Sequence, residues 1–217
     1  MEQPTGSRIP GREQQRNSGD LRRVIAHWWR PLAFALAAAA LCVTPALPQG
    51  MPLAERLKLC GACHGEDGNS RMPNIPSLAG QPEFYLTNQL FLFREGVRNV
   101  PGMSDLLKGL KDDDLVALAS HFAALEPKAS DEPIDPALVK RGAALIEPMR
   151  CASCHLPSLA GQDQMARLAK QRIDYLIHSL KEFRDNKRSG ADTLMSNVVI
   201  GVSDDDLAAL AHYASSR

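Results

Sequence analysis

An internal repeat is the feature that most limits how this chain can fold. The segment CGACH at residues 60–64 returns as CASCH at residues 151–155, an offset of 91 residues. Two further blocks recur in the same order with slips of one residue: LAGQPEFYL as LAKQRIDYL, and MSDLLKGLKDDDLVALA as MSNVVIGVSDDDLAALA. Matching blocks in one order indicate a tandem duplication. We therefore predict two copies of one structural unit.

The first fifty residues differ in character from the repeat. A polar, Arg-containing start is followed by the apolar and uncharged stretch 31–47, PLAFALAAAALCVTPAL. This stretch is shorter than the roughly 20 residues that span a bilayer, and small residues stand near its end, as in a secretory signal. We predict that residues 1–50 are a signal peptide or leader, cleaved near 46–50, and that the protein is periplasmic. An uncleaved leader would attach it loosely to the membrane.

An acidic, proline-containing segment separates the two copies. EPKASDEPIDP, at residues 126–136, contains three prolines and carries net negative charge, which is typical of a linker. We predict a first domain at residues 51–126, a linker at 127–136 and a second domain at 137–217.

Each copy has apolar residues spaced as on one face of a helix. Leu86, Leu90 and Phe93 fall at i, i+4 and i+7, and their counterparts in the second copy do the same. The two DDDL segments supply acidic residues that suit a helix N-terminus. A leading helix is predicted before each CxxCH motif, ALVKRGAALIE in the second copy and the shorter PLAERLKL in the first. No strand pattern is comparably strong, so the predicted fold class is all-α.

Removal of the leader leaves four cysteines, all in the two CxxCH motifs. Two disulfides, a zinc site or a thioredoxin-like redox pair would use such thiols, but none explains a histidine placed identically in both copies. In an exported protein CxxCH is the attachment site of c-type haem, where the thiols bond the porphyrin and the histidine binds the iron. We predict two covalently attached haem c groups. Their attachment residues and proximal iron ligands are Cys60, Cys63, His64, Cys151, Cys154 and His155.

Two methionines recur in register and are predicted to be the second axial ligands. Met103 follows His64 by 39 residues, and Met195 follows His155 by 40 residues. Each stands nine residues before the first aspartate of a DDDL segment. Other methionines and histidines have no partner in the other copy and are predicted to be packing or surface residues: Met72, Met149, Met165, His121, His178 and His212.

These motifs together resemble the class I c-type cytochromes, and in particular the tandem two-haem cytochrome c4 family. The resemblance covers nearly all of residues 51–217, through CGACHGEDGNS, PSLAGQPEFYLTNQLFLFREGVR, the paired methionine segments and the CASCH copy. It implies two tandem class I cytochrome c domains, each a small helical bundle wrapped around a covalently bound haem. It also implies that each iron lies between a histidine and a methionine, and that the carbonyl of Pro76 accepts a hydrogen bond from His64.

The second copy departs from this pattern in one loop. Ala166 replaces the proline, and Lys170 replaces the glycine of LAGQ. An alanine carbonyl can accept the same hydrogen bond, but the loop loses the rigidity that proline confers. We therefore expect the two haems to differ in reduction potential.

The predicted ligands favour electron transfer over catalysis. Methionine ligation raises the reduction potential relative to bis-histidine ligation, and a six-coordinate iron has no open position for peroxide. We predict an electron carrier with no catalytic residue that connects a quinol-oxidising complex to a terminal oxidase. One alternative is the cytochrome subunit of a periplasmic dehydrogenase. An alternative of another class is a two-haem peroxidase-like enzyme. Nothing in the sequence resembles a nucleic-acid-binding module.

Overall fold

The structure is a computed structural model that describes residues 50–190 and 193–217. The predicted leader, up to residue 49, lies outside the described residues. The helices of the described part, in chain order, are α1 (Leu53–His64), α2 (Glu83–Arg94), α3 (Met103–Leu107), α4 (Asp112–Ala123), α5 (Pro136–Ile146), α6 (Ala152–His155), α7 (Ile173–Arg184), α8 (Thr193–Val199) and α9 (Asp204–Ser215). This part of the chain forms no strand, and the all-α prediction is confirmed. None of these helices is long and apolar enough to cross a bilayer.

The boundaries of the long helices follow local sequence signals. α4 begins at Asp112, and the backbone N–H of Lys111 donates to Oδ2 of Asp114 at 3.0 Å. α9 begins after Ser203, whose hydroxyl accepts a hydrogen bond from the backbone N–H of Asp206 at 3.1 Å. Both first turns are acidic and lie at the positive end of the helix dipole. The helix starts predicted at the two DDDL segments are therefore confirmed.

In both copies, the long helix after the CxxCH motif packs with the final helix around an apolar core. In the first copy α2 packs against α4, while α3 packs against α2 and α1 against α4. In the second copy α9 packs against α5 and α7, and α7 also contacts α8. Apolar residues that form one stripe along each final helix are buried in these cores: Leu115, Leu118, Phe122, Leu207, Leu210 and Ala214. Their removal from water stabilises each bundle.

The leading helices of the two copies differ. α1 begins at Leu53 and continues without a break through CGACH, further towards the C-terminus than predicted. α5 ends at Ile146, because Pro148 before the CASCH motif cannot donate a helical hydrogen bond. α5 also begins earlier in its copy than α1 does. It crosses α9 at Gly142, where an added Cβ would overlap the carbonyl oxygen of Ala209.

The two copies contact each other through equivalent residues. Gln81 Nε2 donates to the Arg167 carbonyl, and Gln81 Oε1 accepts from the Arg167 N–H, both at 2.9 Å. Gln171 makes the same two bonds to the backbone of Ser77, both at 2.8 Å. Gln81 and Gln171, called here the glutamine pair, are counterparts in the repeat, as are Ser77 and Arg167. The copies are therefore related at this contact by an approximate two-fold rotation.

The segment predicted as a linker is held against both copies. The Lys128 N–H donates to Asn69 Oδ1 at 2.8 Å in the first copy. In the second copy Asp131 pairs with Arg172 at 2.8 Å. Because the segment 127–136 is bonded to both copies, it is not a free tether. The exact domain boundaries remain a prediction.

Candidate haem-binding sites

The first CxxCH motif occupies the last turns of α1. His64 is only 6% exposed, and its Nδ1 lies 2.8 Å from the carbonyl oxygen of Pro76. A carbonyl oxygen can only accept, so Nδ1 carries the proton and Nε2 keeps its lone pair. Burial lowers the pKa of His64, and the hydrogen bond to Pro76 opposes this shift only in part. The ring is therefore neutral and fixed in orientation, as a metal-binding imidazole must be.

The second motif ends in the short helix α6 and presents the same arrangement. His155 Nδ1 donates to the carbonyl oxygen of Ala166 at 2.8 Å, and burial lowers the pKa of His155. Its Nε2 atom is buried and has no hydrogen-bond partner. A buried nitrogen in this state is costly unless a ligand occupies its lone pair. The atom therefore fits an iron ion, as the CxxCH motif implies.

The four motif cysteines form no disulfide with one another. Cys60 and Cys151 are half-buried, whereas Cys63 and Cys154 are exposed. Burial raises the pKa of Cys60 and of Cys151, which disfavours the thiolate that a zinc site would need. Uncharged thioether links to a porphyrin suit these surroundings. No group of three or more His, Cys, Asp or Glu suited to a metal ion lies within residues 50–190 and 193–217.

The two methionines that recur in register lie at corresponding places in the two bundles. Met103 is the first residue of α3 and packs, like Cys60, against the apolar cluster that contains Phe93. Met195 lies in the first turn of α8 and packs against the cluster that contains Val199. Both thioethers are half-buried on the core of their own copy. Their role as iron ligands remains a prediction.

Histidines that do not recur are engaged elsewhere. His178 Nε2 lies 3.5 Å from Glu182 Oε1 on the surface of α7. His212 Nδ1 accepts a hydrogen bond from the backbone N–H of Asp135 at 3.1 Å. These contacts agree with the surface and packing roles predicted for both residues.

The loops that hold the two motif histidines bond alike although their sequences differ. The Gly68 carbonyl accepts from two successive N–H groups of the LAGQ segment, at 2.7 and 3.0 Å. The Leu159 carbonyl accepts from the two equivalent groups of LAKQ, at 2.9 and 3.0 Å. Lys170 adopts a φ of +57°, close to the +64° of its counterpart Gly80. The departures at Ala166 and Lys170 therefore leave these hydrogen bonds and the backbone conformation at residue 170 unchanged.

Sequence reasoning missed the residues that join the two copies. The signal for the glutamine pair was present, since Gln81 and Gln171 recur within LAGQ and LAKQ. Arg167 carried no such signal, because Ser77 stands at its place in the first copy. Its contacts depend on how the copies meet, which the pattern within each copy does not specify.

A recurring set of tyrosines and arginines was also missed. Tyr85 and Tyr175 correspond at an offset of 90 residues, as do Arg98 and Arg188. Burial raises the pKa of Tyr85. Burial acts in the same sense on Tyr175, but the charges of Arg188 and Arg98 outweigh it and lower the pKa of Tyr175. Arg98 of the first copy therefore lies near Tyr175 of the second copy.

Comparisons with known proteins agree with this geometry. The Cytochrome c family model matches residues 139–216. Cytochrome c4 of Pseudomonas aeruginosa is 38% identical over 166 residues, which cover 71% of this chain and 82% of that protein. A thiosulfate dehydrogenase electron acceptor of Thiomonas intermedia is 31% identical over 204 residues, covering 87% of this chain and 91% of that protein.

Two solved structures are similar to this chain in fold. Reduced recombinant cytochrome c4 from Pseudomonas stutzeri superposes with a TM-score of 0.69 at 32% identity, covering 76% of this chain and 98% of that one. A thiosulfate dehydrogenase from Marichromatium purpuratum gives a TM-score of 0.66 at 29% identity, covering 76% of this chain and 40% of that one.

The helical fold, the two CxxCH sites and their buried, oriented histidines define a two-haem class I c-type cytochrome. The chain belongs to the cytochrome c4 family. It carries covalent haem c at its two CxxCH motifs and functions as an electron carrier, not as an enzyme.

Proposed function

We propose that this chain carries single electrons through two iron sites, one ligated by His64 and Met103 and the other by His155 and Met195. The unpartnered, buried Nε2 of His155 is the observation that carries the proposal. When bound, haem c supplies an iron that accepts and releases one electron. The protein holds each imidazole by its Nδ1–H, which directs the Nε2 lone pair to the metal.

The methionines complete the proposed ligand sets. Met103 begins α3 and Met195 lies in the first turn of α8, and both pack on the core of their own copy. A thioether sulfur bound to the iron would favour its ferrous form, raise the reduction potential and hinder the binding of small ligands. We therefore propose two electron-carrying iron sites, neither of which has a free coordination position.

The contact between copies supports electron exchange within one chain. The glutamine pair forms four hydrogen bonds of 2.8 to 2.9 Å across this contact. Bonds of this kind, made to buried backbone groups, restrict relative motion of the two domains. A fixed separation between the sites allows an electron that enters at one to leave from the other without domain rearrangement.

Two routes fit such a carrier. The first runs from a quinol-oxidising complex to a terminal oxidase in the periplasm. The second takes electrons from a periplasmic dehydrogenase, and it is favoured by the similarity to thiosulfate dehydrogenase electron acceptors over 87% of this chain. Covalent haem attachment and the leader-like sequence of residues 1–50 support the proposed periplasmic location.

The iron ligands can be tested by the optical spectrum of the protein matured in a haem-attaching host. We expect two haems per chain and a methionine-to-iron charge-transfer band in the ferric form. Met103→Ala and Met195→Ala should each remove about half of that band, whereas Met72→Ala, at a 44% exposed residue, should leave it unchanged. An unchanged band in either ligand variant would contradict the assignment.

The routes can be separated by reduction kinetics of the ferric protein. A purified thiosulfate dehydrogenase supplied with thiosulfate is compared with a quinol-oxidising complex supplied with quinol. Rapid reduction by only one of them identifies the donor class, and slow reduction by both would contradict both routes.

A further inference from the structure

One arginine lies where the two copies meet. The guanidinium of Arg167 is buried, with the residue 3% exposed. Its Nη2 donates to the carbonyl oxygen of Ala79 at 2.8 Å, and its Nη1 donates to the carbonyl oxygen of Ala169. Ala79 and Ala169 are counterparts at an offset of 90 residues. A guanidinium that bonds two equivalent carbonyls, one from each copy, lies on the approximate two-fold axis.

This position explains a difference between the two copies. The counterpart of Arg167 is Ser77, whose backbone makes the equivalent bonds to the glutamine pair. A group on a two-fold axis has no room for its own symmetry mate, because both would occupy the same volume. An arginine in one copy therefore requires a smaller residue at the same position in the other.

Among residues 50–190 and 193–217, no carboxylate lies within 4.0 Å of the Arg167 guanidinium. Two other buried arginines do have one, since Arg56 pairs with Asp114 at 2.6 Å and Arg172 with Asp174 at 2.9 Å. Nε of Arg167 is buried without any partner. Desolvation lowers its pKa to about 10, which still leaves the guanidinium charged at neutral pH. A charge in such low-dielectric surroundings acts strongly on neighbouring groups.

The neighbours are the two loops that orient the histidines. Ala79 lies three residues after Pro76, whose carbonyl holds His64, and Ala169 lies three residues after Ala166, whose carbonyl holds His155. The guanidinium therefore lies between the two candidate iron sites and contacts the loop of each.

We propose that Arg167 is a shared positioning residue whose buried charge raises the reduction potentials of both haems together. The proposal rests on the ligand assignment made above. Loss of one electron from either site adds one unit of positive charge there, and no proton leaves or joins Arg167. A fixed cation nearby disfavours this added charge and so stabilises the reduced form of both sites.

The test is a spectroelectrochemical titration of the two-haem protein and three Arg167 variants. Arg167→Gln removes the charge and keeps hydrogen-bonding atoms. Arg167→Met removes the charge and both hydrogen bonds but keeps apolar side-chain volume. Arg167→Lys keeps the charge but loses the planar guanidinium that bonds both carbonyls. Arg71→Gln, at a side chain 63% exposed, is the matched control.

We expect Arg167→Gln and Arg167→Met to lower the equilibrium constant for reduction of both haems about tenfold, the effect of one unit of pKa or its redox equivalent. Arg167→Lys should keep most of the wild-type value, and Arg71→Gln should change little. An equal fall in Arg167→Lys and Arg167→Gln would show that the hydrogen bonds, not the charge, act on the haems. A shift confined to one haem, or no shift, would also overturn the proposal.

Failure of the ligand assignment can be recognised separately. It would already appear in the unmodified protein as a missing methionine charge-transfer band. The haem count and this band are recorded for each variant, so that a change of ligands is not mistaken for an electrostatic shift.

Discussion

The two histidine-orienting loops differ in sequence but agree in geometry. The first contains Pro76 and the second Ala166 at the same place, yet each carbonyl accepts its histidine bond at 2.8 Å. The second loop adds backbone hydrogen bonds of 3.0 and 2.7 Å between Gln162 and Met165. The hydrogen bonding of the whole loop therefore positions the carbonyl that holds the histidine. Proline is one of several ways to stiffen it.

Loss of either haem gives the largest expected effect and tests whether the sites mature independently. The double variants Cys60→Ser/Cys63→Ser and Cys151→Ser/Cys154→Ser should each retain one haem per chain, since every motif supplies its own two thioether bonds. Haem counting by absorbance and mass spectrometry provides the measurement. If either variant lost both haems, the two copies would mature as one unit.

Next in size is the effect of the glutamine pair on stability. Gln81→Ala or Gln171→Ala leaves a buried N–H and a buried C=O unpaired in the opposite copy, which should lower the free energy of unfolding by about 3 kcal/mol. The two values should be similar because the bonds are equivalent. Chemical denaturation measures them, with Gln162→Ala, at an exposed side chain, as control. A loss below that of the control for either variant would show that the contact does not hold the copies together.

The crossing of α5 and α9 offers a test of the difference in leading helices. Gly142→Ala would place a methyl group against the Ala209 carbonyl. Because two packed helices must then separate, the free energy of unfolding should fall by about 2 kcal/mol. Thermal unfolding is the readout, and Lys140→Ala, on the exposed side of the same helix, should have little effect. Wild-type stability in Gly142→Ala would indicate that α9 shifts freely.

The smallest effects are expected from exchanging the loop residues themselves. Pro76→Ala should destabilise the protein and Ala166→Pro should stabilise it, each by less than about 1 kcal/mol, through the entropy of the unfolded chain. Neither change should displace the carbonyl that holds the histidine, so the reduction potentials should be nearly unchanged. Denaturation and redox titration of the same samples check both statements. A large shift of the reduction potential in Ala166→Pro would show that loop rigidity does influence the haem.

Much of the fold could be predicted because its signals are local. Helical periodicity located α2 and α7, and the acidic DDDL segments located the starts of α4 and α9. The hydrogen bond from His64 to Pro76 was expected from family resemblance and is present. The unbroken course of α1 through its motif was not anticipated, because the pattern of PLAERLKL ends before CGACH.

The sequence by itself determined the repeat, the helical class, the CxxCH chemistry and the candidate ligands, because each depends on residues close together in the chain or matched between copies. Only the tertiary structure placed Gln81 on the backbone of Arg167, Gln171 on that of Ser77, and the Arg167 guanidinium between Ala79 and Ala169. The contacts that cross between the copies join residues 86 to 94 positions apart. They depend on how two folded surfaces meet, and periodicity within one copy carries no information about that.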